Sequence, residues 1–228
     1  GVQPQFDLPV TKDSRFRVAS VSKQFTALTI LQLAEAGKLS LDEDICNYLG
    51  FNLRHPRYPE QPITIRMLLS HTSSLCDGSI YAIPPEEDII EFFMPEGLYY
   101  RGGEHFSAIG GPGTYFHYCN LNYGLLGTII EVVTGMRFDI YQRTHILKEL
   151  NISGSYNIGD FDTEDMKRLG TVYQKQKAGR WDEEGPWYPQ IDDYRGIIQP
   201  RHIVRICNPD QRQNDDFYNI AGYVPGTN

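Results

Sequence analysis

A chain of 228 residues can bury a large core, and a make-up of 40% hydrophobic and 22% charged residues is that of a folded globular protein, not a disordered one. The formal charge of −8, with no run of lysine or arginine to reverse it locally, argues against nucleic acid and acidic membrane surfaces as partners. No apolar stretch approaches the about 20 residues that span a bilayer, and Gly1-Val2-Gln3-Pro4 does not resemble a signal peptide.

The residues before Phe16 read as loop, with Pro4, Pro9 and a turn at Thr11-Lys12-Asp13-Ser14. Phe16 to Ala19 reads as a short strand-like approach that turns into a long helix at Ser20. Gly37 follows the last apolar turn, where a left-handed cap ends helices. Between Ala27 and Ala34 only Thr29 and Gln32 are polar, so the pattern predicts a helix buried over most of its circumference. Lys38 to Asp44 starts a second short helix ending near Leu49-Gly50, and Arg54 to Pro62 is surface loop. Ile63 to Ser70 is helical, with Thr64 as its N-cap. Pro84-Pro85-Glu86-Glu87 opens a helix running through Phe93, with prolines first and acids in the first turn.

Residues 97–113 are glycine-rich and irregular. Asn120 to Thr134 is the second strongly helical stretch, striped by Leu121, Leu125, Leu126, Ile129, Ile130 and Val133 and stopped at Gly135. Helix continues from Phe138 to Leu150. Beyond Asn151 the period is lost, and the tail reads as loop with a few short strands. The cysteines, Cys46, Cys76, Cys119 and Cys207, lack the spacing of a zinc site and leave the redox compartment open.

Two short patterns carry chemistry. Ser20 and Lys23 are three residues apart at the start of a helix, hence on one face, where a hydroxyl and an amine meet. Serine needs a base to become a nucleophile. Lysine is a base only when neutral, and the helix dipole contributes about 0.3–1 kcal/mol toward that, so the reading calls for a second group. Tyr118-Cys119-Asn120 supplies a phenol that can share a proton with the amine, and a carboxamide that can hold a substrate amide or orient Lys23. Each pattern alone is short enough to occur by chance. Their positions, each opening one of the two most apolar helices, lift them above it.

Bland alternatives stand beside each residue. Ser20 or Asn120 could be a helix cap, Lys23 a solvated first-turn lysine, and Tyr118 one more aromatic among 15 tyrosines. His71 reads as a structural histidine at a helix end and Cys119 as packing. Glu86-Glu87-Asp88 and Asp182-Glu183-Glu184 read as solvated faces. Trp181, Trp187 and Tyr188 fit either a cleft lining or a surface cluster.

The flanks FRVASVSKQFTALTILQLAEAGKLSLDEDI, ITIRMLLSHTSSL and PGTYFHYCNLNYGLLGTIIEVVTG resemble the serine β-lactamase and penicillin-binding protein superfamily, in the branch of class C β-lactamases, DD-peptidases and esterases. The likeness covers most of residues 16–135 and thins after about residue 160, where AGYVPGTN is only a faint match. It implies an α+β, β-lactamase/transpeptidase-like fold in which one region spans 1–228: a mainly helical part over about 20–150 and a tail over 151–228.

It also implies that Ser20 is the acylated nucleophile, Lys23 its partner base and Tyr118 a second proton carrier. Asn120 is then the substrate-amide ligand, and Ser20 N–H half of an oxyanion hole. The substrate is a small molecule or peptide containing an amide, β-lactam or ester. The implied chemistry uses no metal or organic cofactor, and the implied location is periplasmic or secreted.

Two departures stand out. Ser74 replaces the glycine that usually follows His-Thr-Ser. The family's third element, a cation followed by Thr/Ser and Gly, has no match, since Val133-Thr134-Gly135 and Ile152-Ser153-Gly154 lack the cation. The family's C-terminal strands and those ahead of the Ser20 helix are expected to be missing. A non-catalytic binding protein of the same fold, or a fragment of an active enzyme, are the alternative readings.

Overall fold

The computed structural model describes residues 9–80, 88–156 and 160–190. Gly1-Val2-Gln3-Pro4, Pro84-Pro85-Glu86-Glu87, Cys207 and AGYVPGTN lie outside them. The described chain divides into two compact units, one of residues 20–156 and another of residues 9–19 with 160–190.

The larger unit is helical. A 3₁₀ turn, Ala19–Ser22, leads into α1, Lys23–Glu35. The C-terminus of α1 is closed locally: Gly37, at φ 69°, donates to Ala34 O at 2.9 Å and Lys38 donates to Leu33 O at 2.9 Å. That pair of bonds satisfies the last carbonyls and needs a left-handed residue, which glycine supplies without a Cβ clash. Then come α2, Cys46–Leu49, ended by left-handed Gly50, and α3, Ile65–Leu69, where Thr64 Oγ1 accepts from Met67 N–H at 3.3 Å.

The centre of this unit is α4, Asn120–Thr134, which packs against α1, α2 and α3 and against α5, Phe138–Tyr141. Every residue from Leu121 to Glu131 is buried. Leu125, Leu126 and Ile129 meet a core that includes Ile30, Leu33, Leu68 and Phe92. Burying each such side chain contributes about 1.5–3 kcal/mol, so this helix anchors the unit.

Four expectations are corrected. Residues 38–44 form turns and coil, and the second helix starts only at Cys46. Helix α1 buries one face only: Lys23, Thr26, Thr29, Ile30 and Leu33 are buried, whereas Leu31 is 49% exposed. Its apolar composition exceeds the surface its neighbours cover. The helix expected through Phe93 is, among the described residues, a single 3₁₀ turn, Ile89–Phe92. Pro95 follows closely and disfavours helical backbone at Met94. The stretch after Phe138 is helical, but from Gln142 to Leu147 it widens to a π-helix, with Lys148 N–H reaching Arg143 O at 3.1 Å. There Gln142 Nε2 donates to Thr29 Oγ1 at 2.7 Å, pinning the widened turn to α1.

In the smaller unit the strand-like approach at Phe16–Ala19 forms no strand. Only Arg15 bridges Leu169, and Ala19, at φ 43°, has left the extended region. Residues 160–190 hold more order than their lost period suggests. A short helix α6, Thr163–Lys167, precedes a three-stranded antiparallel sheet of β1, Val172–Lys177, β2, Arg180–Trp181, and β3, Trp187–Gln190, in the order β2-β1-β3. The β1–β2 turn is Ala178-Gly179, both at positive φ, the two-residue hairpin whose twist matches the strands. The sheet belongs with the helical unit's elements to an α+β fold.

Candidate active site

Two helix starts and one loop meet within the larger unit. The 3₁₀ turn before α1 presents Ser20, exposed, and the first residue of α1 is Lys23, 6% exposed. Ser20 and Lys23 thus lie one turn apart, and Lys23 Nζ donates to Ser20 Oγ at 3.2 Å. Ala19, immediately before the serine, sits in left-handed space that disfavours a Cβ, the kind of backbone strain that accumulates at functional sites. Tyr156 braces the turn from below, its hydroxyl donating to Ser22 O at 2.5 Å. Burial pushes that phenol's pKa up and keeps it a donor.

Tyr118 comes from the segment ahead of α4. Gly113 N–H donates to Thr72 O at 2.7 Å and His117 N–H to His71 O at 2.8 Å, so this segment runs along His71-Thr72. The His71 ring lies 4.5 Å from the Tyr118 ring. Its Nδ1 accepts from Cys119 N–H at 3.2 Å and stands 3.3 Å from Asn122 Nδ2. An accepting Nδ1 means a neutral ring. Burial lowers the His71 pKa, and the Lys23 charge pushes the same way. His71 is therefore a clasp for the Tyr118 segment, as its structural reading anticipates. Ser74, in the position of the expected glycine, holds φ 65°, the turn conformation glycine would adopt freely; its hydroxyl donates to Gly110 O.

The result is a tight polar corner. Tyr118, 43% exposed, places Oη 2.8 Å from Ser20 Oγ. Asn120 Oδ1 accepts from Lys23 Nζ at 2.8 Å and lies 3.4 Å from Tyr118 Oη. Lys23 Nζ also stands over the rings of Tyr118 and Tyr123, 5.3 and 5.5 Å from their centroids. All four residues singled out in the sequence, Ser20, Lys23, Tyr118 and Asn120, converge here across 97 or 98 residues of chain. The cap reading of Ser20 has a competitor in these side-chain bonds. Cys119, between the motif residues, is fully buried; burial pushes its thiol well up, which keeps it un-ionised and inert.

Asp77 was not legible as part of this corner. It lies in the Cys76-Asp77-Gly78-Ser79 stretch, which carries no motif. In space its Oδ2 accepts from Asn120 Nδ2 at 2.9 Å, and its Oδ1 accepts from Leu121 N–H at 3.0 Å and from the Cys119 thiol at 3.3 Å. Cys119 gives α4 no side-chain cap. Asp77 supplies one from 44 residues away, an anion on the positive end of a helix.

An α+β fold with a Ser-x-x-Lys pair at one core helix start and a Tyr-x-Asn pair at the next is that of the serine β-lactamase and penicillin-binding protein superfamily, a class of serine hydrolases. The chain belongs to the Beta-lactamase family, whose sequence pattern matches residues 3–207. It is 36% identical over 146 residues to penicillin-binding protein 4* of Bacillus subtilis, an alignment covering 60% of this chain and 29% of that protein.

Among solved structures it is similar to the octameric penicillin-binding protein homologue of Pyrococcus abyssi, at 29% identity and a TM-score of 0.59 over 81% of this chain and 41% of that one. The D-amino acid amidase of Ochrobactrum anthropi matches at 26% identity and a TM-score of 0.56, over 81% of this chain and 49% of that one. The chain thus spans under half the length of each of these relatives. Among the described residues no helix is long and apolar enough to cross a membrane.

Proposed function

We propose that the chain carries the acylating centre of a serine hydrolase, with Ser20 as nucleophile acting on an amide, β-lactam or ester of a small molecule or peptide. The observation that carries this is a single oxygen, Ser20 Oγ, within hydrogen-bonding reach of both Tyr118 Oη, at 2.8 Å, and Lys23 Nζ, at 3.2 Å. A serine so placed can lose its proton to the Lys23–Tyr118 pair while Oγ attacks the substrate carbonyl.

The developing oxyanion is held in part by Ser20 N–H. The C–N or C–O bond then breaks, and the leaving group takes the proton back from Tyr118, whose exposure faces it toward substrate. Water enters by the reverse route: it gives a proton to the same pair as its oxygen bonds to the acyl carbon, the acyl C–Oγ bond breaks, and Oγ takes that proton back, releasing the acid and free Ser20. Asn120 keeps a second Nδ2 hydrogen beyond the one given to Asp77, suited to the carbonyl of a substrate amide. The penicillin-binding and D-amino acid amidase relatives support a D-amino-acid peptide or β-lactam as substrate, and a periplasmic or secreted location goes with that chemistry.

Exposure of the protein to a labelled penicillin and to a fluorophosphonate, with intact-mass and peptide analysis, tests this. A stoichiometric adduct on Ser20, abolished in Ser20→Ala with an unchanged melting curve, is the expected result. The alternative reading is a binding protein that retains the fold. Saturable binding with no adduct from either probe selects it.

A further inference from the structure

We propose that Asp77 is a positioning residue of this site: it fixes the orientation of the Asn120 carboxamide and through it the place of Lys23 beside Ser20. The proposal rests on the hydrolase reading for its catalytic consequence, though not for its geometry.

A carboxamide can face its neighbours with either its oxygen or its NH₂, and only the surrounding network decides which. Lys23 Nζ is a pure donor when charged, and a carboxylate is a pure acceptor. With Asp77 Oδ2 2.9 Å from one end of Asn120, that end must be Nδ2, which turns Oδ1 to Lys23 Nζ at 2.8 Å. The reverse orientation would set oxygen against carboxylate and NH₂ against the amine. Lys23 then reaches Ser20 with a further hydrogen, at 3.2 Å.

Asp77 is itself held, by Leu121 N–H at 3.0 Å and the buried Cys119 thiol at 3.3 Å, so its direction follows α4 and not its own loop. The order Asp77, Asn120, Lys23, Ser20 is a single line of hydrogen bonds from a helix cap to the proposed nucleophile. Losing the carboxylate frees the amide to flip, and a displacement of about 1 Å in such a line costs on the order of 100-fold in rate.

A double-mutant cycle tests this, with acylation of Ser20 by a fluorophosphonate measured for Asp77→Asn, Asn120→Ala and the pair. Asp77→Asn keeps the shape but offers Asn120 a donor. The expected result is a loss of about 100-fold in each single variant, with the pair no slower than Asn120→Ala alone within about twofold. A loss in the pair equal to the product of the single losses, or no loss in Asp77→Asn, overturns the proposal. A purely structural role, weakening the helix cap, would act equally in both backgrounds.

The side-chain amide resonance of Asn120, assigned by its absence in Asn120→Ala, gives a readout that needs no acylation. Asp77→Asn is expected to shift it and to remove its protection from hydrogen exchange, in the wild-type background and in Ser20→Ala alike. An unmoved resonance overturns the proposal even where no probe labels Ser20. A moved resonance with no labelling upholds the positioning and removes the hydrolase reading instead.

Discussion

The helical unit and the residues around the small sheet solve the same problem of order by different means. In the helical unit α4 is buried along most of its length, and its neighbours close around it. In the sheet, Trp181, Trp187, Tyr173 and Tyr188 are all exposed, Trp187 by 64%, and order comes from backbone pairing and a two-residue turn. The difference shows where a polar constellation can be built. Only against a packed core is a lysine held 6% exposed with an amide at 2.8 Å. On the sheet Lys175 Nζ also finds partners, Glu183 O at 2.8 Å and the Trp187 ring at 5.6 Å, but that ring is itself exposed and gives no buried surround.

The largest effect that would sharpen this contrast is in the core. Leu126→Ala, which empties a fully buried position on α4, is expected to lower the unfolding free energy by about 2–5 kcal/mol in a denaturant titration. A loss under about 1 kcal/mol would break the view of α4 as anchor.

Next comes pH. His71 is held neutral, with its pKa below the usual value through burial and then the Lys23 charge. The unfolded chain therefore binds a proton near pH 6.5 that the native state resists. Stability is full above that value and falls as pH drops below it, toward the lowered native pKa. The melting temperature should decline from pH 7 to pH 5, and His71→Gln should flatten that slope relative to wild type. The smallest effect belongs to the sheet: Trp187→Ala is expected to move stability by about 0.5 kcal/mol or less. A larger loss would show that its ring is packed as the core residues are.

Much of the helical unit was legible because its signals are local. Gly37, Gly50 and Gly135 mark helix ends in the sequence and stand at those ends in left-handed backbone. Thr64 caps the helix it was expected to cap. What misled was composition read without neighbours. Leu31 looks like core from its flanks, yet half its surface is open, since burial depends on what packs against a face. The π-helical turn at Gln142 escaped notice for a related reason: a bond to Thr29, 113 residues earlier, accompanies the widening, and no periodicity encodes it.

By itself the chain determined which residues carry reactive groups and where several of its helices stop, because spacing along a helix and the demands of caps are properties of adjacent residues. The family likeness at Ser20, Lys23, Tyr118 and Asn120 was likewise written in short runs. The tertiary structure alone decided that a serine on one helix start meets a phenol 98 residues away at 2.8 Å. It also brought in Asp77, a residue with no motif, to face Asn120. Such contacts depend on how whole elements pack, and their distances are not encoded in the spacing of any short run of residues.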